Sequence, residues 1–313
     1  MQKKIKIKFV DFWTGFNHSN NFFIDILSIK YHVEIVDFSP DFIIFSNFGK
    51  EHLKYKCPRL FFSSENERPN MFKADLAITM DFNTNKRHFR MPLFVYYLHQ
   101  YGQKRHELNH ITKEHALEAW NKKSKFCCAV ISNGNSKMRN DFLEFLQKKE
   151  QIDSGGRYKN NIGAPVESKL DFIKDYKFVI SFENSSNKGY TTEKLLEPLI
   201  VGSIPLYWGN KKIAFDFNPN CFINVRNKRD FNRVYLLMKE IEKNTDLALN
   251  YLICEKISDN QFLYNTNLLE FIEKIMNKKP ISKMLFYSLI ARFIDLKCGL
   301  VSRFRYQIGL NFR

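Results

Sequence analysis

An alternation along the chain limits the fold more than any other feature. The first third holds short strand-like runs, "KIKIKFVDFW", "YHVEIVDF", "DFIIFS", "RLFFSS" and "ADLAITMDF". A second series holds strand "KFCCAVIS", helix "KMRNDFLEFLQKK", a "DSGGRYKNNIG" loop, a helix around "VESKLDFIKDY", strand "KFVISFENS", a further helix and strand "SIPLYWG". Several runs are apolar throughout, as strands buried on both faces require. Alternating β and α elements imply parallel sheets covered by helices, so the expected class is α/β, with two Rossmann-like domains facing a cleft. The polar, helix-forming segment between Leu98 and Lys125 reads as the bridge. It sets the expected domains at 1–118 and 119–277, with 278–313 as a separate tail. No low-complexity block or short repeat interrupts the pattern.

At 313 residues, 44% hydrophobic and 15% aromatic, the chain has apolar surface enough for two cores. The start, "MQKKIKIKFVDFW", alternates lysine with Ile and Phe and lacks the continuous apolar region of a signal peptide, so it reads as a first strand. No run approaches the ~20 apolar residues of a membrane span. Cys57, Cys127, Cys128, Cys221, Cys254 and Cys298 form no CxxC pair and read as reduced, mostly buried thiols.

The net charge is +16, and the residues from Lys278 onward carry eight Lys/Arg against the single acid Asp295. That tail sets Ser288, Arg292, Asp295 and Ser302 along one narrow polar stripe of an otherwise apolar helix. A basic amphipathic helix suits an anionic membrane surface. The competing use is packing on the protein's own core. No groove-reading or RNA-binding motif accompanies the charge, so nucleic acid is not an expected partner. The expected location is cytoplasmic, peripheral to the inner face of the cytoplasmic membrane.

The stretch Phe182–Asn210, "FENSSNKGYTTEKLLEPLIVGSIPLYWGN", carries the most polar equipment. "KFVISF" ends a strand, and the loop that follows lies at its carboxyl end, where open α/β sheets bind ligands. Thr191 is the expected N-cap of the next helix, Leu195, Leu196, Leu199 and Ile200 form its apolar face, and Gly202 marks its stop. Pro198 should bend or shorten that helix. Helix amides beside Lys194 favour a diphosphate. An ordinary βαβ turn with surface charges is the plainer alternative.

This stretch resembles the signature of family 10 glycosyltransferases, the α1,3/α1,4-fucosyltransferases: FEN, a spacer, GY-x-TEK, then IP-[IL]-YWG. "LFFSSENERPN", "FRMPL", "KMRNDF", "DSGGR" with "NNIG", and "DFNPNCFINV" match in the same order, so the resemblance spans about residues 5 to 275. It is to the bacterial members, whose tails are often basic and amphipathic and whose acceptors include lipopolysaccharide-type glycans. Thr191 stands where Val is common and Pro198 where some members have Ala.

The resemblance implies a GT-B fold, with GDP-fucose held by the C-terminal domain and an acceptor glycan held mainly by the N-terminal one. The implied reaction inverts the anomeric carbon, moving L-fucose from GDP-β-L-fucose to GlcNAc or Glc in an N-acetyllactosamine- or lactose-type unit through an α1,3 or α1,4 linkage. Glu65 in "SSENE" is the implied general base, with Glu67 its rival, since alternation along an extended segment puts both on one face. Arg157 and Lys194 are the implied diphosphate clamp. Asn184, Tyr190 and Glu193 are implied donor-positioning groups, and Glu193 also favours positive charge on the sugar ring. No cofactor is obligatory, and Mn²⁺ or Mg²⁺ is expected at most to stimulate.

Three other readings belong beside this one: another GDP-sugar as donor, a sugar-nucleotide binder without turnover, and a zinc hydrolase. The last rests on "HELNH", His106 to His110, with His115 as a third ligand. A metzincin needs a Gly where Lys113 stands and its third His where Ala116 stands. The segment is charged on every side and reads as a solvated bridge.

Overall fold

The computed structural model describes residues 2–258 and 264–276, so the proposed amphipathic tail and Cys298 lie outside the described residues. The α/β class holds: the chain forms two Rossmann-like units, each built on one parallel sheet.

Unit 1 contains β1 (Lys3–Val10), α1 (Phe22–Ser28), β2 (Tyr31–Ile35), β3 (Phe42–Phe45), β4 (Arg59–Phe62), β5 (Leu76–Thr79) and β6 (His88–Arg90). Its strand order is β2-β1-β3-β4-β5-β6, every pair parallel. All four residues of β3, of β4 and of β5 are buried, the apolar run of β3 throughout and Arg59 and Thr79 along with their apolar neighbours in β4 and β5. In β1 the alternation survives. Ile5, Ile7 and Phe9 point into the core, while Lys4 reaches Glu34 at 2.9 Å and Lys8 reaches Asp37 at 3.1 Å.

Unit 2 contains α2 (Leu93–Gln100), α3 (Arg105–Asn109), α4 (Lys113–Asn121), β7 (Lys125–Ala129), α5 (Lys137–Gln147), β8 (Ile152–Ser154), α6 (Lys169–Ile173), β9 (Tyr176–Phe182), α7 (Glu193–Ile200), β10 (Ile204–Trp208), β11 (Ile223–Asn224), α8 (Phe231–Lys243) and α9 (Thr245–Ile253). The strand order is β11-β10-β9-β7-β8, again all parallel. Its core is aromatic. Phe142 of α5 stacks on Phe182 of β9 at 4.9 Å, and Trp120 meets Phe178 edge-on.

The compact units divide the chain differently from the boundaries expected at 118/119 and 277/278. Residues 91–121 pack within unit 2, because Leu108, Ala116 and Trp120 are buried there and α4 packs on α9. The Asn109 side-chain oxygen Oδ1 accepts the backbone amides of Lys256 and Ile257, each at 2.9 Å, and its Nδ2 donates to the Ile257 carbonyl. The "HELNH" segment is thus a packed element and not a bridge solvated on every side. At the other end, α10 (Tyr264–Met276) joins unit 1: Glu273 accepts from the Tyr31 hydroxyl at 2.5 Å and pairs with Lys30 at 2.6 Å.

Candidate functional site

In unit 2 every strand points the same way, so the loops after β7, β8 and β9 share one edge of the sheet. The loop after β9 leads into α7, and a buried carboxylate organises it. Glu183, wholly buried, accepts the Thr192 amide and the Thr192 hydroxyl, both at 2.8 Å. Burial pushes its carboxyl above the usual range. The cap of α7 is Thr192 and not the expected Thr191: the Thr192 hydroxyl accepts the Lys194 amide. Thr191 turns inward, donating its hydroxyl to buried Asp216 at 2.7 Å, while Asn210 donates to the Thr191 hydroxyl at 3.0 Å. Burial of Asp216 decides between the two threonines.

The Lys194 ammonium lies 3.0 Å from Glu193, 3.2 Å from the Thr192 hydroxyl and 3.6 Å from Glu183. Burial alone would lower its pKa, but the two carboxylates raise it and keep the amine charged. The Glu193 carboxyl is held low by Lys194 and Lys169 against its own burial. Pro198 sits inside α7, which ends two residues later at Ile200, and Gly202 follows with φ +67°. Leu195, Leu196 and Leu199 are buried as expected.

Asn184 is exposed, with its side-chain oxygen accepting from Arg139 at 2.9 Å. Arginine can only donate, so the amide NH₂ of Asn184 is the group left for a ligand. Arg139 was not singled out from the sequence. It is buried, and it also donates to the backbone carbonyls of Phe182 and Asn133. "KMRNDF" was the only signal, and nothing in its spacing shows that α5 sets an arginine beneath a loop 45 residues away. Tyr190 is buried within the same loop. Before it, Gly189 takes φ +91°, and a Cβ there would lie 2.2 Å from the Met80 carbonyl oxygen.

Arg157 stands exposed on the loop after β8. Gly156 seats that loop: an added Cβ would lie 2.0 Å from the Ile131 carbonyl oxygen. One strand, β7, separates β8 from β9, so the roots of the two loops lie roughly 10 Å apart on one edge. Of the six expected site residues, Asn184, Tyr190, Glu193 and Lys194 come together around β9 and α7. Arg157 shares their edge of the sheet.

Glu65 belongs to unit 1, exposed on the loop after β4. Ser63 anchors it, its hydroxyl donating to the Glu65 carbonyl at 2.8 Å and accepting the Glu65 amide at 3.2 Å. The chain bends at Ser64–Asn66, with the Glu67 amide donating to the Glu65 carbonyl at 2.8 Å. The extended alternation expected for Glu65 and Glu67 is therefore absent.

The histidines of "HELNH" do not gather as ligands. The His106 and His110 rings stack at 4.3 Å, and the His110 ring bonds the His106 carbonyl. His110, His115 and Glu107 border a cavity of about 300 Å³ with apolar walls that include Ile111, Leu199 and Leu252. Among the described residues no three His, Cys, Asp or Glu side chains form a metal site, and no helix is long and apolar enough to cross a membrane.

Residues 7–97 match the family model for the N-terminal domain of α-(1,3)-fucosyltransferase FucT, and residues 120–275 match the C-terminal model of glycosyltransferase family 10 (fucosyltransferase). The chain belongs to glycosyltransferase family 10. Among its relatives, α-(1,3)-fucosyltransferase FucT of Helicobacter pylori is 31% identical over 290 residues, covering 79% of this chain and 59% of that protein. The human 4-galactosyl-N-acetylglucosaminide 3-α-L-fucosyltransferase 9 is 32% identical over 134 residues, covering 41% of this chain and 36% of that protein. The chain thus spans less than two thirds of the length of these relatives. A crystal structure of an α1,3-fucosyltransferase with GDP-fucose resembles this fold with a TM-score of 0.74, 25% identity and coverage of 90% of this chain and 93% of the other. A structure with GDP gives a TM-score of 0.72 at 25% identity, covering 89% and 92%.

Proposed function

We infer that this family 10 member transfers L-fucose from GDP-β-L-fucose to a hydroxyl of an acceptor glycan, with inversion at the anomeric carbon. The observation that carries the reading is the cluster at the β9–α7 junction. It offers a lysine held in its charged form by two carboxylates, first-turn helix amides and the NH₂ of Asn184 on one sheet edge, with Arg157 on the neighbouring loop. Such a set suits a nucleotide diphosphate that gains negative charge as it leaves. Unit 2 is then the donor side and unit 1 the acceptor side.

In the proposed reaction Glu65 takes the proton of the acceptor hydroxyl as its oxygen bonds to C1 of fucose and the bond from C1 to the diphosphate breaks. Arg157 and Lys194 meet the charge arriving on the diphosphate. Tyr190 orders the donor loop, and Glu193, held ionised, favours positive charge developing on the sugar ring. The acceptor we propose is GlcNAc or Glc in an N-acetyllactosamine- or lactose-type unit, fucosylated at O3 or O4. The basic residues after Lys278 favour work at an anionic membrane surface on the cytoplasmic side.

The test is GDP release by the full chain with GDP-fucose, GDP-mannose and GDP-glucose against an array of acceptor sugars, with and without Mn²⁺ or Mg²⁺, and the product linkage read by NMR. An α-fucoside formed from GDP-fucose alone is the expected result. Turnover of another GDP-sugar, or none, overturns it. Liposome sedimentation of the same protein with anionic lipid tests the membrane proposal.

A further inference from the structure

Unit 1 holds a polar cavity of about 160 Å³ that the transfer step above does not use. Phe45, Ser46 and Asn47 at the end of β3 border it, and so do Glu67 and Arg68 from the loop that carries Glu65. In the order β2-β1-β3-β4-β5-β6 the chain moves outward from β1 to β2 and then crosses back to β3. The carboxyl ends of β1 and β3 are therefore the topological switch point of this sheet, the crevice where open α/β sheets take ligands.

His52 borders the same cavity and is 5% exposed. Its ring stacks on Phe45 at 4.2 Å, and Nδ1 lies 2.6 Å from Asp11 Oδ2. Nε2 is buried and meets no hydrogen-bonding group. Asp11, at the end of β1, is fixed in turn by the amides of Glu51 at 2.8 Å and His52 at 2.9 Å. Burial would raise its carboxyl, but these bonds and the His52 ring hold it below the usual range.

An ionised carboxylate only accepts, so the proton between the pair belongs on His52 Nδ1. In the neutral ring Nε2 is then a lone pair at the cavity wall, and a buried acceptor left without a donor is costly. Ser46 donates its hydroxyl to the Asn47 side-chain oxygen at 3.0 Å, which leaves the Asn47 NH₂ as a donor. The wall thus pairs an acceptor with a donor. A sugar hydroxyl, which gives one hydrogen bond and takes others, matches that set. An anion has no hydrogen to give to Nε2.

We propose that this cavity is a subsite for a hydroxyl-bearing part of the acceptor glycan, with His52 Nε2 accepting the hydroxyl and Asp11 fixing the ring's tautomer as a positioning residue. The proposal rests on the reading of unit 1 as the acceptor side. His52 is then a specificity determinant, acting on which acceptor binds and not on the bond-making step.

Fucose transfer to methyl β-lactoside and its monodeoxy derivatives, by the full chain and by His52→Phe, tests it. Phenylalanine keeps the stack on Phe45 and removes the acceptor nitrogen. One deoxy sugar should raise the acceptor KM of the unaltered protein about tenfold, the weight of one buried hydrogen bond, with kcat and the GDP-fucose KM within about twofold. His52→Phe should show the same rise on the parent sugar and no further rise on that deoxy sugar. Additive losses on every sugar, or an unchanged acceptor KM in His52→Phe, overturn the subsite. Saturation-transfer NMR with methyl β-lactoside needs no turnover and includes Asn47→Leu, a rim variant that blocks the cavity and spares the Asp11–His52 pair. Saturation lost in a variant that still binds GDP supports the subsite even if no acceptor is fucosylated, an outcome that would sink the reaction alone. Equal saturation in all three proteins alongside normal transfer overturns the subsite and leaves the reaction standing.

Discussion

The loop after β9 and the loop after β4 each follow the carboxyl end of a strand in a parallel sheet, yet they are built in opposite ways. The first rests on buried Glu183, Arg139 and Asp216, and nearly every polar group in it is held by another. The second leaves Glu65 exposed on a bend anchored by the Ser63 hydroxyl. A site that must meet a fixed charge gains from groups locked before the ligand arrives, since no reorganisation is needed at the moment of reaction. A group that must take a proton needs access first. On the roles proposed above, the contrast sets the donor-binding groups on a locked loop and the proton acceptor on an open one.

The largest effect should come from Glu65→Gln, which keeps shape and removes the proton acceptor. Transfer should fall roughly 10²- to 10⁴-fold, with GDP-fucose affinity and melting temperature unchanged. Glu67→Gln is the control; if it is the inactive variant and Glu65→Gln transfers normally, the base is Glu67.

Next, Lys194→Ala and Arg157→Ala should each slow transfer by about 10² and weaken donor binding. They should differ in stability. Lys194→Ala leaves buried Glu183 without its cation and half-buried Glu193 with Lys169 alone, and lowers the melting temperature, whereas exposed Arg157→Ala leaves it alone. Equal melting temperatures in both variants would erase the contrast.

Asn184→Ala should cost about fivefold in donor affinity, one hydrogen bond's worth. Smallest of all is the pH effect. Glu193's lowered pKa makes its contribution present above the ordinary carboxylate range, lost only as pH falls through the folded value. Lys194's raised pKa makes its contribution present below the ordinary amine range, lost only as pH rises through the folded value. GDP affinity should therefore vary less than about twofold between pH 7 and 9 on account of this pair. A steep change there would show that one of them titrates.

Both sheets were legible in the sequence because β3, β4, β5 and β9 are predominantly apolar, as strands covered on both faces are. Most of the candidate site was legible too, since Asn184, Tyr190, Glu193 and Lys194 lie within eleven consecutive residues. The rest depends on contacts between distant segments. Charges around "HELNH" hide a packed face made by Leu108, Ala116 and Trp120, so the compact units divide the chain elsewhere than the polarity suggested. The return of α10 to unit 1 rests on Glu273 meeting Lys30 and Tyr31 across more than 240 residues, which no local pattern encodes. Arg139 beneath Asn184 and Asp11 beside His52 were missed for the same reason.

The central claim, that unit 2 binds the nucleotide and unit 1 does not, is tested most directly by calorimetric titration of GDP into the full chain and into Glu65→Gln and Lys194→Ala. The account predicts that Glu65→Gln binds GDP within about twofold of the unaltered protein and that Lys194→Ala binds at least about tenfold more weakly. Unchanged affinity in Lys194→Ala, together with weakened binding in Glu65→Gln, would contradict it.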